Sequence, residues 1–140
     1  MNQKEFENEK RRVYGLLETD AYRPINGIIR FSRGENYSHF RKKSDVVWLL
    51  NDGVLPEYLD SALRELRNNR PYGPYRESFT GWAKPVIITE ARFSSRLRTD
   101  VLYQNIYGTY AIEIVKSESE KSLRRKEKLY NEMKIKFISI

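Results

Sequence analysis

"YAIEIVKSESEKSLRRKEKLY", residues 110–130, followed by "KIKFISI", residues 134–140, decides the fold. Tyr110 to Lys116 alternates as a strand. Ser117 with Glu120 three positions on forms a capping box that starts a helix to about Glu132, and 134–140 reads as a final strand. A strand, a helix and a second strand make a unit whose strands run parallel. Within the first strand Ala111, Glu113 and Val115 share one face, Ile112 and Ile114 the other. A carboxylate between two isoleucines is a liability unless it is paired or holds a cation.

Upstream, Asn105 to Thr109 reads as a turn, and Thr99–Tyr103 as a strand. Pro85–Phe93 is another, with Val86, Ile88 and Glu90 alternating against Ile87, Thr89 and Ala91. Pro56 suits the first turn of a helix running to about Asn69. From residue 56 the order is therefore α-β-β-β-α-β. The fold class is α+β or α/β, with a central mixed sheet. Residues 1–140 form one domain, with 1–55 preceding the core at 56–140.

The preceding part opens with an amphipathic helix over 3–18, with Phe6, Val13 and Leu17 near one face. Residues 22–43 interleave Arg23, Arg30, Arg33, Arg41, Lys42 and Lys43 with Tyr22, Phe31, Tyr37, His39 and Phe40. Gly27–Phe31 as a strand and Arg33–Asn36 as a turn predict a basic hairpin, where cations reach phosphates and rings offer stacking faces. Ser44 caps a short helix through Leu50, and Asn51-Asp52-Gly53 breaks it. With the helix at 56–69 this resembles a helix-turn-helix, with Leu59 and Ala62 as packing positions. Glu57, Asp60 and Glu65 would repel DNA from it. Arg70–Arg76 is a Pro/Gly-punctuated connection.

The chain has no cysteine and one histidine, which excludes Cys/His zinc sites and cysteine nucleophiles. No window approaches the ~18 apolar residues of a membrane span, and the charged opening residues do not read as a signal segment, so an intracellular protein is expected. A net charge of +7, with ten Tyr, six Phe and two Trp, favours a polyanionic partner. The Cys-free, Tyr-, Ile- and charge-rich texture is one associated with thermophilic archaea and their viruses.

If the strands at 99–103 and 110–116 pair as a hairpin, Asp100 and Glu113 come together at one sheet edge. Two such carboxylates repel unless one is protonated or a cation lies between them. Mg²⁺ takes oxygen ligands and keeps several waters, which suits phosphodiester hydrolysis. The bland alternatives are a strand-start cap for Asp100 and a salt bridge to Arg98 or Lys116 for Glu113.

The stretches Arg98-Thr99-Asp100-Val101-Leu102 and Ala111-Ile112-Glu113-Ile114-Val115-Lys116-Ser117, with the basic helix leading to Leu129-Tyr130, resemble the PD-(D/E)XK nuclease superfamily, whose core is αβββαβ. The resemblance covers about residues 56–140. It implies a DNA nuclease using Mg²⁺ or Mn²⁺, with Asp100 and Glu113 at the family's two metal-binding acid positions. Glu90 is the first choice for a third ligand over Glu57 and Glu65. The residue before Asp100 is Thr99 rather than proline, and Val115 stands where the family places lysine. Lys116, one position late, or Lys121 on the following helix would then support the nucleophile. Arg96, Arg98, Lys121, Arg124 and Arg125 would hold the DNA backbone, extended by Arg30, Arg33 and Arg41. The rivals are a non-catalytic nucleic-acid-binding protein and an interaction protein of viral or host type. In the latter, acidic residues 44–65 would meet a partner or the basic segment of a second copy, giving a homodimer.

Overall fold

In the computed structural model the residues described are 1–18, 29–31, 34–71, 76–79, 81–94 and 97–140. The chain folds as helix α1 (Gln3–Leu16), α2 (Tyr37–Asn51), a 3-10 turn at Pro56–Tyr58 and α3 (Leu59–Arg67). Strands β1 (Val86–Ser94), β2 (Leu97–Asn105) and β3 (Gly108–Glu113), helix α4 (Glu120–Glu132) and strand β4 (Lys136–Ser139) complete it. The sheet order is β1-β2-β3-β4, antiparallel except for the β3/β4 pair, which is parallel. The expected mixed sheet and the α-β-β-β-α-β order from α3 onward are thus present. No helix among the described residues is long and apolar enough to cross a membrane.

Alternating side chains bury both faces of the sheet, as strands covered on two sides require. Ile87, Val101, Tyr103, Tyr110 and Ile112 meet Val46, Val47, Leu49 and Leu50 of α2 and Leu59, Ala62 and Leu63 of α3. Val86, Ile88 and Leu102 cover Val13 of α1, while Ala111 meets Tyr130 of α4 and Ile135. Each fully buried aliphatic side chain in such a layer stabilises the fold by about 1.5–3 kcal/mol. The two helices of the predicted helix-turn-helix therefore spend their apolar faces on the sheet.

Three boundaries that bear on the acid row differ from expectation. Tyr37–Lys43 are the opening turns of α2, not hairpin: Asn36, not Ser44, caps that helix by accepting the His39 N–H through its side chain at 2.8 Å. Ser44 instead donates to the Phe40 carbonyl inside the helix. The remainder of the predicted hairpin falls largely outside the described residues, and Ile29–Phe31 are in no strand. Helix α4 begins two residues late, because Ser119 rather than Ser117 accepts an N–H, that of Ser122. β3 ends at Glu113, which leaves Val115 and Lys116 beyond the strand.

Candidate functional site

The β2/β3 turn sets the site's register. Asn105 pairs with Gly108 across a two-residue loop, and the ladder runs back to Val101 opposite Ile112. One step further places Asp100 across from Glu113. On the other side, Thr89–Val101 and Ala91–Thr99 bracket a step in which Glu90 faces Asp100. Glu113 itself is the last paired residue on β3, against Ser139. Glu90, Asp100 and Glu113 thus form one transverse row over three adjacent strands.

Glu90 interrupts its own ladder. It has a φ of 53°, a left-handed conformation that a non-glycine residue adopts only when its surroundings enforce it. The enforcing contacts are ionic: Oε1 accepts from Lys43 Nζ at 2.9 Å, and Oε2 lies 3.1 Å from Arg98 Nε. Lys43 comes from α2, is fully buried, and also reaches Glu35 Oε1 at 2.8 Å and the Arg30 carbonyl.

His39, one helical turn before Lys43, continues the network. Its Nδ1 meets Glu35 Oε2 in a close contact, while Nε2 lies 3.2 Å from the Ile114 carbonyl and 3.6 Å from Asp100 Oδ2. Asp100 Oδ2 accepts the Ile114 N–H at 2.8 Å. At the end of the row Glu113 Oε1 accepts from Lys126 Nζ of α4 at 2.7 Å, and Glu113 Oε2 is buried with no hydrogen-bond partner.

Burial dominates the electrostatics. It raises Glu90, against the opposing pull of Lys43. It raises Asp100 despite the Ile114 N–H and the His39 ring, and it pushes Glu113 up to about 6 even with Lys126 beside it. Glu90 and Glu113 each also feel the charge of Asp100. Four carboxylates (Glu35, Glu90, Asp100, Glu113) face the basic side chains of Lys43, Arg98 and Lys126 and the ring of His39. The cluster thus holds one more carboxylate than it has lysine and arginine side chains.

Of the residues singled out in the sequence, Asp100, Glu113 and Glu90 come together. Arg98 joins them through Glu90. Lys116 is exposed and lines a cleft of about 460 Å³ between the start of α2 (Asn36, Ser38, His39, Lys42) and the segment leaving β3 (Ile114 to Ser117). Lys121, Arg124, Arg125 and Arg41 are exposed on α4 and α2, Arg124 in a pair with Glu120. Arg30 has its N–H bonded to Thr89 Oγ1. Arg33 and Arg96 lie outside the described residues. Glu57 is elsewhere, accepting from the Tyr110 hydroxyl at 3.0 Å.

The salt-bridge alternative for Glu113 is thus realised, but with Lys126 rather than Arg98 or Lys116. Glu35 and Lys126 escaped the sequence reading, which placed His39 and Lys43 on a basic hairpin rather than beside the acids. Two helical signals point to them: Glu35, His39 and Lys43 recur every four residues, and Lys126 sits between Leu123 and Tyr130 on one face of α4.

Among the described residues no three or more acidic or histidine side chains converge as a ready metal cage. The row still offers hard oxygen donors, including the unpartnered Glu113 Oε2, which suit a divalent cation. Comparisons with protein-family models, curated proteins and solved structures return no match.

Proposed function

We propose that the chain is a divalent-cation-dependent nuclease that hydrolyses DNA phosphodiesters at the Glu90–Asp100–Glu113 row. The observation that carries this reading is the alignment of three carboxylates, Glu90 and Glu113 buried and Asp100 partly so, in one step of an α-β-β-β-α-β sheet, with a lysine bonded to the last of them. Asp100 and Glu113 are the oxygens that would hold Mg²⁺ or Mn²⁺, because Glu90 is already engaged by Lys43 and Arg98. The cation supplies a more acidic bound water and offsets charge on the phosphorus oxygens.

The protein's own groups do the remainder. Lys126 replaces Lys116 and Lys121 as the ammonium beside the reacting phosphate, since it alone of the three touches the row. Lys42 and Lys116 flank the adjoining cleft, and the start of α2 adds its positive dipole end, so an anionic backbone is favoured there. Arg98, exposed at its outer edge, and the Arg and Lys side chains of α4 extend the charge.

The test is cleavage of linear and circular DNA with Mg²⁺ or Mn²⁺. Asp100→Ala and Glu113→Ala each lower the rate by about 100-fold or more. Unchanged cutting by both variants overturns the assignment. Salt-sensitive binding without any cleavage or divalent requirement supports the non-catalytic reading instead, for which the neutralising contacts of Lys43 and Lys126 speak.

A further inference from the structure

Two rings from the basic, aromatic segment meet at the surface. Phe31 stacks face to face on Phe40 of α2, with ring centroids 3.8 Å apart and planes 4° from parallel. Phenyl pairs ordinarily prefer offset or edge-on contact at wider separations, whereas this spacing is near the rise of about 3.4 Å between stacked nucleobases. Phe31 is 67% exposed, so with one face against Phe40 its other face is open to solvent.

The open ring is firmly anchored. The neighbouring Arg30 gives its N–H to Thr89 Oγ1 at 2.8 Å, and its carbonyl accepts from the buried Lys43 ammonium, which also holds Glu90. Phe31 is therefore fixed one residue from a backbone clamp on the acid row. On α2, Tyr37 is 75% exposed one turn before Phe40, and Arg41 is exposed one turn after Tyr37. Lys42 comes next and lines the basic cleft.

This mixture fits a nucleic-acid strand, because cations attract its phosphates and ring faces receive its bases. Bases inside a duplex are stacked on one another and have no face to offer a ring; an unpaired base has. A second copy would bring the same net charge of +7 and the same exposed cations to the patch, which opposes self-pairing there.

We propose that the open face of Phe31 is a stacking platform for an unpaired base, which makes single-stranded DNA the substrate class of the neighbouring acid row. The choice of DNA rests on the nuclease reading; the platform itself does not.

Binding is measured without divalent cation, so that no strand is cut, on oligothymidylate of about 10 nucleotides and on a duplex of equal length. Phe31→Ala weakens single-strand binding about 5- to 100-fold and Phe31→Leu nearly as much, while Phe31→Trp keeps it within about 3-fold. Duplex binding stays within about 2-fold in all three. Single-strand affinity indifferent to Phe31→Ala, or an equal loss on the duplex, overturns the platform. Tighter binding of oligouridylate than of oligothymidylate overturns the choice of DNA. On the unmutated protein, a deoxyadenylate strand moves the Phe31 ring protons upfield in NMR through the ring current of the stacked base; unmoved Phe31 resonances overturn the platform whatever the variants do. Phe31-dependent single-strand binding by a chain that cuts no DNA removes the nuclease reading and leaves the platform. DNA cleavage by a chain whose single-strand affinity ignores Phe31 does the reverse.

Discussion

Glu9 and Glu113 are both glutamates held by a basic side chain at a helix–sheet seam, and their chemistry diverges. Glu9, on α1, takes Arg12 and the Thr109 hydroxyl, and these hold its carboxyl below the usual range. Arg12 goes on to donate to the Met133 carbonyl at 2.6 Å, tying α1 to the end of α4. Glu113 has one cation, one oxygen without a hydrogen-bond partner and another acid beside it, and burial raises its carboxyl. The first seam is saturated and serves as a fastener. The second buries its acid with one lysine and one oxygen left without a hydrogen bond, an arrangement that costs stability.

Breaking the buried cluster at its node gives the largest effect. Lys43→Ala leaves Glu35 and Glu90 without their shared cation and costs about 3–5 kcal/mol in denaturant unfolding. If it costs less than Arg12→Ala, the contrast between the seams is wrong. Next in size, Lys126→Ala lowers DNA cleavage about 100-fold in a chain that still folds, whereas Glu9→Ala leaves the rate within about 3-fold. Equal loss in both variants would mean that cleavage reports general destabilisation.

The pH dependence sharpens the same contrast. Glu113 goes from 4.5 unfolded to about 6 folded, so the folded state favours its protonated form. That contribution is complete below about 4.5 and is lost as pH rises through about 6, a change of about 2 kcal/mol. The cation-free wild type accordingly loses stability relative to Glu113→Gln between pH 4.5 and 7, as urea midpoints would record. Glu9 has the opposite sign, with stability present above 4.5 and lost as pH falls below it. The smallest effect is Arg12→Ala, about 1–2 kcal/mol of stability with unchanged cleavage.

The row was legible because strand periodicity and a short hairpin loop leave little choice of register. Once Asn105 pairs with Gly108, Asp100 must face Glu113. Glu90 was legible as a candidate but not as a left-handed residue, since its conformation is imposed by Lys43 and Arg98. The wall contributed by α2 was hidden for a different reason. Tyr37 to Lys43 is dense in rings and charge, which reads as a surface hairpin, and only contact with strands some fifty residues later shows Lys43 to be interior. Lys126 was hidden because the resemblance places the lysine two residues after Glu113. β3 ends before that position, and the helix that follows brings its own lysine back.

The acid row is a cation site, as proposed, or else a set of internal salt bridges. An anomalous difference map from a crystal soaked in Mn²⁺ tests it most directly. A cation site predicts a peak about 2.2 Å from carboxylate oxygens of Asp100 and Glu113. A map without that peak, with Lys126 still on Glu113 and His39 still against Asp100, contradicts it.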